Sequence, residues 1–192
     1  MTALKGISTG IAVYLIMAVP QVNIKPDVST IVGRIAYYCD LYEKLAPPYI
    51  WEGSFGKLGG DCSGQAGEIV NNSVNDALGK VFKKAGSPFK RETAFGMWSG
   101  RGGWGTNNVK GSASIFKSSF PNVVFWDYTK PTKPVQFHVA IIRNVKSNWL
   151  DFSEASSGKG YFKRTEMRLG DGRYKHLVGY KILPLEELFK TN

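Results

Sequence analysis

Between residues 27 and 45 the apolar side chains fall at Val28, Ile31, Val32, Ile35, Cys39 and Tyr42. Steps of three and four put them on one helical face. Asp27 or Ser29 can cap the start of this helix, and Pro47-Pro48 stops it. Residues 49–60 are rich in glycine and aromatics and read as a loop. A second helix is expected from just after Cys62, through Glu68, Ile69 and Val70, to Val81 or Phe82, with Gly86-Ser87-Pro88 ending it. Residues 99–112, which follow Trp98 and hold Trp104, keep no period and read as a surface loop. The pattern then changes to short β-prone runs at 122–126, 136–143, 149–153 and 178–183, divided by polar turns. Helices first and strands afterwards predict an α+β domain, an antiparallel sheet with the N-terminal helices packed against it.

The first 25 residues stand apart. Lys5 precedes an uncharged run, residues 6–24, whose centre at 11–19 is apolar. One positive charge followed by an apolar run has the outline of an export signal or membrane anchor. Pro20 interrupts it and no clean small-x-small cleavage site follows. Residues 1–25 are therefore expected to serve either in export or anchoring or as a hydrophobic arm packed on the domain or a partner. Residues 26–192 are expected to form one domain.

Composition narrows the class. With 192 residues, 43% hydrophobic and 21% charged, the chain suits one globular domain and excludes wholesale disorder, collagen and coiled coil. Two cysteines exclude a disulfide-stapled scaffold and a cysteine-rich zinc module. The net charge of +10 is uneven: residues 1–96 hold 10 basic and 8 acidic groups, residues 97–192 hold 15 and 7. A basic half suits an anionic partner such as a cell-wall polymer, a membrane surface or nucleic acid. Lys159, Lys163, Arg164, Arg168, Arg173 and Lys175 could meet phosphates, but no reading motif accompanies them, so no specific nucleic-acid partner is expected.

The richest stretch for chemistry is Gly59-Gly60-Asp61-Cys62-Ser63-Gly64. A sulfur at a helix start lies near unpaired backbone N–H groups and the positive end of the helix dipole, an environment that favours a thiolate nucleophile. Such a thiol needs a base, and the chain has two histidines, His138 and His176. His138 lies in the apolar run Phe137-His138-Val139-Ala140-Ile141-Ile142. Strand alternation puts it on a face with Ala140 and Ile142. A third polar group should orient the imidazole. Glu154 is the choice; Asp151 is the runner-up, on the opposite face of a regular strand. Cys39 sits on the apolar stripe of the first helix and reads as packing. A Cys39–Cys62 disulfide is the alternative in an oxidising compartment. The Cys and His residues lack ligand spacing, so neither a metal nor another cofactor is expected.

Several motifs together resemble the NlpC/P60 family of cell-wall cysteine peptidases. Pro48-Tyr49-Ile50-Trp51-Glu52-Gly53, a glycine-rich gap and Asp61-Cys62-Ser63-Gly64 are similar to the family's opening motif. Arg91-Glu92-Thr93 resembles its Arg-x-Thr segment, His138-Val139-Ala140-Ile141 its His-Val-Gly-Ile strand, and Glu154-Ala155-Ser156 its His-Ala-Ser. These motifs occur in the family's order across residues 48–157. The departures are Trp51-Glu52-Gly53 in place of Trp-Gly-Gly, Glu154 in place of the commoner histidine, the missing Gly-Asp-Leu before the histidine strand, and residues 99–120, which have no counterpart.

The resemblance implies a papain-like fold and a peptidoglycan hydrolase cleaving stem-peptide amide bonds. It implies Cys62 as nucleophile, His138 as general base and Glu154 as the orienting third member. Tyr49 would help hold the oxyanion, and Asp61 and Ser63 would line the site and contact the substrate's amine end. Such an enzyme must reach the wall by export, by membrane association or on a virus particle. The competing expectations are a binding protein on the same fold without catalysis, and an acyltransferase or amidase acting on lipids or small amides.

Overall fold

The computed structural model describes residues 30–51, 59–77 and 89–185. The apolar segment 1–25 and the candidate caps Asp27 and Ser29 lie outside these residues. Helix α1 (Ile31–Leu45) is capped by Thr30, whose Oγ1 accepts from Gly33 N–H at 3.0 Å. Ala46 ends it in the left-handed region, with φ 45°, and Pro47 follows without an N–H to continue the ladder. Ile35, Cys39 and Tyr42 are buried and Ile31 packs beside them, as the expected apolar face requires, whereas Val32 is exposed. Helix α2 (Cys62–Ala77) includes Cys62 as its first residue, and the expected extension to 81–82 lies outside the described residues. A short α3 (Ala94–Trp98) follows, capped by Thr93.

Among the described residues there are six strands: β1 (Asn108–Lys110), β2 (Val123–Asp127), β3 (Phe137–Lys146), β4 (Trp149–Ser156), β5 (Tyr161–Arg168) and β6 (Leu177–Lys181). They form one sheet in the order β1-β6-β2-β3-β4-β5, with every pairing antiparallel. The α+β class is as expected. α1, α2 and α3 cover one face, packing Ile35, Ile69, Val70 and Met97 against Val123, Phe125, Val139 and Ile141. The other face buries Val124, Trp126, Ala140, Ile142 and Phe152 beneath Ile115, from the 3-10 turn Ser112–Lys117. Burial on both faces explains why β2 reads as an unbroken apolar run.

One expectation needs correction, and one strand had not been assigned. Residues 99–112 are not simply a surface loop. Trp104 is buried, stacks on Phe89 with ring centres 4.7 Å apart and donates Nε1–H to Lys90 O, while residues 108–110 form β1. Glycines at positive φ, among them Gly100 and Gly105, bend the backbone and remove any period. The basic stretch from residue 161 is strand β5. Its buried apolar residues, Phe162 and Met167, are five apart and serve opposite layers, so no alternation betrays it. Residues 47–49 bind along β5, through Phe162 N–H to Pro47 O at 3.0 Å and Tyr49 N–H to Gly160 O at 2.8 Å.

Gly179 marks the tightest point of the sheet. It has φ 148°, and a Cβ added there would stand 2.1 Å from Val109 O on the neighbouring strand. Gly179→Ala is therefore expected to push β1 off β6 and to cost about 2–4 kcal/mol of stability. Urea unfolding monitored by tryptophan fluorescence measures this; an unchanged midpoint contradicts the packing described.

Candidate active site

The nucleophile's position begins with Asp61, the N-cap of α2. Its Oδ1 accepts from Gly64 N–H at 2.7 Å and from Ser63 Oγ–H at 2.9 Å. Its Oδ2 pairs with Arg91 Nη2 at 2.5 Å, and Arg91 Nη1 donates to Ser63 Oγ at 2.7 Å. Asp61, Ser63 and Arg91 thus form one network that fixes the first turn. The first-turn amides of Cys62 and Ser63 have no partner within the helix itself. Gln65, fully buried, donates Nε2–H to Gly60 O at 2.7 Å and to Pro48 O at 3.2 Å. Ile50 N–H donates to Gly60 O, and Gly60 N–H to Pro48 O. These bonds tie the Tyr49 segment to the nucleophile turn.

The imidazole arrives from the other side. The β3–β4 ladder runs from Lys146↔Trp149 to Ile141↔Ser153, so His138 and Glu154 lie beyond its last pair. They share the sheet face of Ala140, Ile142 and Phe152, as alternation predicts. His138 Nε2 meets Glu154 Oε2 at 2.6 Å, with side-chain exposures of 14% and 1%. The ring and the Cys62 sulfur line the same cleft, and the sulfur lies near enough to act on the ring's charge. With Nε2 committed to Glu154, Nδ1 is the nitrogen left for the sulfur. Trp126 lies against the ring, centres 5.5 Å apart, and shields the pair.

Electrostatics follow from this arrangement. Burial alone would lower the His138 pKa. The nearby Cys62 sulfur, and then Glu154, outweigh burial and raise the pKa to about 9. Burial would raise the Glu154 pKa, but hydrogen bonds from Arg173 and then His138 outweigh it and bring it to about 2. Tyr49 is pushed up to about 12 by burial and by the charges of Cys62 and Asp61, so it stays a hydrogen-bond donor.

Tyr49, Asp61, Cys62, Ser63 and His138 line one cleft of about 780 Å³, together with Trp51, Phe95, Phe137 and Arg173. Glu154 lies behind His138, beneath that surface. All six side chains named from the sequence therefore meet at one site. Asp151, the runner-up, is instead bound by Arg164 through contacts of 2.5–3.1 Å. Cys39 is buried in α1, and both cysteines are free thiols. Sequence reasoning missed Arg173, whose Nη1 and Nη2 reach Glu154 Oε1 and Oε2 at 2.9 and 2.8 Å. The one available signal was indirect: a buried carboxylate needs a cation beside it. Among the described residues no group of three or more His, Cys, Asp or Glu side chains could hold a metal ion.

No family model and no curated protein matches the chain. Among solved structures it is similar to one described as similar to a lipoprotein of the NLP/P60 family, from Staphylococcus aureus subsp. aureus Mu50. That likeness has a TM-score of 0.47 and 18% identity, covering 84% of this chain and 44% of the other, so the chain spans less than half that protein's length. It is also similar to the NlpC/p60 domain of the peptidoglycan hydrolase SagA, with a TM-score of 0.44 and 17% identity, covering 79% of this chain and 98% of the other.

The site's own titration is measurable. The raised His138 value means that its contribution to stability is complete below about 6.5 and is lost as pH rises through about 9. The lowered Glu154 value means that its contribution is complete above about 4.5 and is lost as pH falls towards about 2. The pair therefore stabilises the fold most between these ordinary values. NMR titration of the His138 ring is expected to give a midpoint near 9, lowered in Cys62→Ala because the sulfur is the leading cause of the rise. A midpoint unmoved by Cys62→Ala contradicts the contact.

Proposed function

We propose that this chain is a cysteine endopeptidase of the NlpC/P60 kind that hydrolyses stem-peptide amide bonds of peptidoglycan. The observation that carries the reading is the Cys62–His138–Glu154 constellation at the head of α2. The ordered motifs from Pro48 to Ser157 support the substrate class. A nucleophile alone would fit many reactions; a nucleophile, an oriented base and donors for an oxyanion in one cleft fit acyl transfer.

The chemistry follows from the geometry. The Cys62 sulfur attacks the carbonyl carbon of the scissile amide, forming a C–S bond. The carbonyl oxygen becomes an oxyanion facing Tyr49 O–H and the first-turn amides of Cys62 and Ser63. Collapse breaks the C–N bond while imidazolium His138 delivers its proton to the leaving nitrogen. His138, now neutral, takes a proton from water as that water attacks the thioester, releasing the acid and restoring the thiol–imidazole pair. Glu154 keeps the ring oriented throughout. Asp61 and Ser63 border the cleft beside Cys62 and would meet the amine side of the peptide.

The site of action is the bacterial wall, reached by export, by membrane association or on a virus particle. Among the described residues no helix is long and apolar enough to cross a membrane. The basic C-terminal half would favour an anionic wall.

Digestion of purified peptidoglycan, with fragments identified by mass spectrometry, tests the reading. The wild type should release fragments with new amino termini within the stem peptide. Cys62→Ala and His138→Ala should each lose at least ~10³-fold in rate. Tyr49→Phe should lose about 10²-fold in kcat with little change in KM. Full activity in Cys62→Ala or His138→Ala would reject the mechanism. Hydrolysis of lipid amides with an untouched wall would point to the acyltransferase alternative.

A further inference from the structure

Glu154 is a carboxylate with 1% of its side chain exposed, and it is held from two sides. His138 Nε2 takes Oε2, while the fork of Arg173 takes both oxygens. Arg173 is itself fixed. Its Nε–H donates to Tyr128 Oη at 3.1 Å, and its guanidinium lies 4.7 Å from the Trp126 ring centre and 5.2 Å from that of Phe152. The same side chain reaches the wall of the cleft that holds Cys62.

Followed outward from the sulfur, the groups are Cys62, His138, Glu154 and Arg173. In the thiolate–imidazolium form their charges alternate and sum to zero. Take away the guanidinium and the reactive form carries an uncompensated negative charge in a largely buried site; the form with a protonated sulfur becomes the neutral one. We infer that Arg173 is a fourth member of the constellation, a positioning residue that balances the charge of the reactive form and locks the Glu154 carboxylate against the His138 ring. The inference rests on Cys62 as the nucleophile and extends that reading, because it names what allows a glutamate to stand third.

Other charged and titratable groups face this line. Asp61 and Arg91 are paired with each other beside the sulfur. Tyr49 approaches from the segment before α2, and Glu92, from the segment before α3, is paired with Arg101. Asp127 and Tyr128 stand at the end of β2, and His176 meets Asp127 O through Nδ1. Among the described residues, hydrogen bonds to the Glu154 carboxylate come from His138 and Arg173.

Alkylation of Cys62 by iodoacetamide in the full chain, read by peptide mapping from pH 4.5 to 9, tests this without peptidoglycan. Failure of the wall-hydrolysis reading and failure of this inference are therefore separable. Arg173→Gln is expected to slow alkylation at pH 6 by about tenfold and to move the rate profile to higher pH, the effect of losing one nearby charge. Arg173→Lys should recover most of the rate. A profile in Arg173→Gln that overlays the wild type overturns the inference, as does a Lys variant no better than the Gln variant. Should Arg173→Gln alone fail to fold, the comparison is made on Glu154→Gln with and without Arg173→Gln, where the double variant leaves no buried charge unpaired. Removing the Arg173 charge must again move the profile upward, and coincident profiles overturn the inference.

Discussion

The head of α2 lies against the open end of the β3–β4 ladder, and the rest of the site depends on that placement. The sulfur and the imidazole come from residues 62 and 138, so only the seating of the helix on the sheet can join them. Ile69 and Val70 provide the apolar part of the seat against Val139 and Ile141. The polar part is unusual. Gln65, Asn71, Ser73 and Asn75 are buried in α2, as is most of Glu68. Gln65 holds Gly60 and Pro48, and Asn71 exchanges two hydrogen bonds with the Phe89 backbone, while Glu68 lies near Tyr42 of α1. A buried polar group left without a partner costs about 1–3 kcal/mol, so each of these bonds resists a shift of the helix. They set its rotation as well as its depth, and with it the direction of the sulfur.

A second constraint comes from charge. A glutamate at the third position holds a negative charge deep in the domain, and a lone buried carboxylate would take up a proton. The fold answers with Arg173, brought back by the turn after β5 and stacked on Trp126. On the helix side Asp61 and Arg91 repeat the pattern. The two acids nearest the sulfur and the imidazole, Asp61 and Glu154, are thus each matched by an arginine.

Much of this was legible in the sequence because it depends on local rules. The three-and-four spacing of Ile31, Ile35, Cys39 and Tyr42 defines α1. Alternation in β4 separates Glu154 from Asp151 and assigns Glu154 to the His138 face. The Asp-Cys-Ser-Gly run announces a helix start. Whatever depends on distant partners stayed hidden. Arg173 looks like one more surface cation until the fold sets it on Glu154. Trp104 sits among glycines yet fills the core against Phe89. β5 has one apolar contact for each layer and so shows neither period. α2 has no clean apolar stripe because Gln65 and Asn71 are buried against backbone groups outside the helix, at Pro48, Gly60 and Phe89.

The most direct test of the central claim is to trap the acylated enzyme. Wild-type protein mixed with purified peptidoglycan for milliseconds to seconds, quenched in acid and mapped by mass spectrometry, should carry a stem-peptide acyl group as a thioester on Cys62 and none on Cys39. Release of wall fragments with Cys62 unmodified at every time point, and continued release when that thiol is blocked beforehand, would contradict the account.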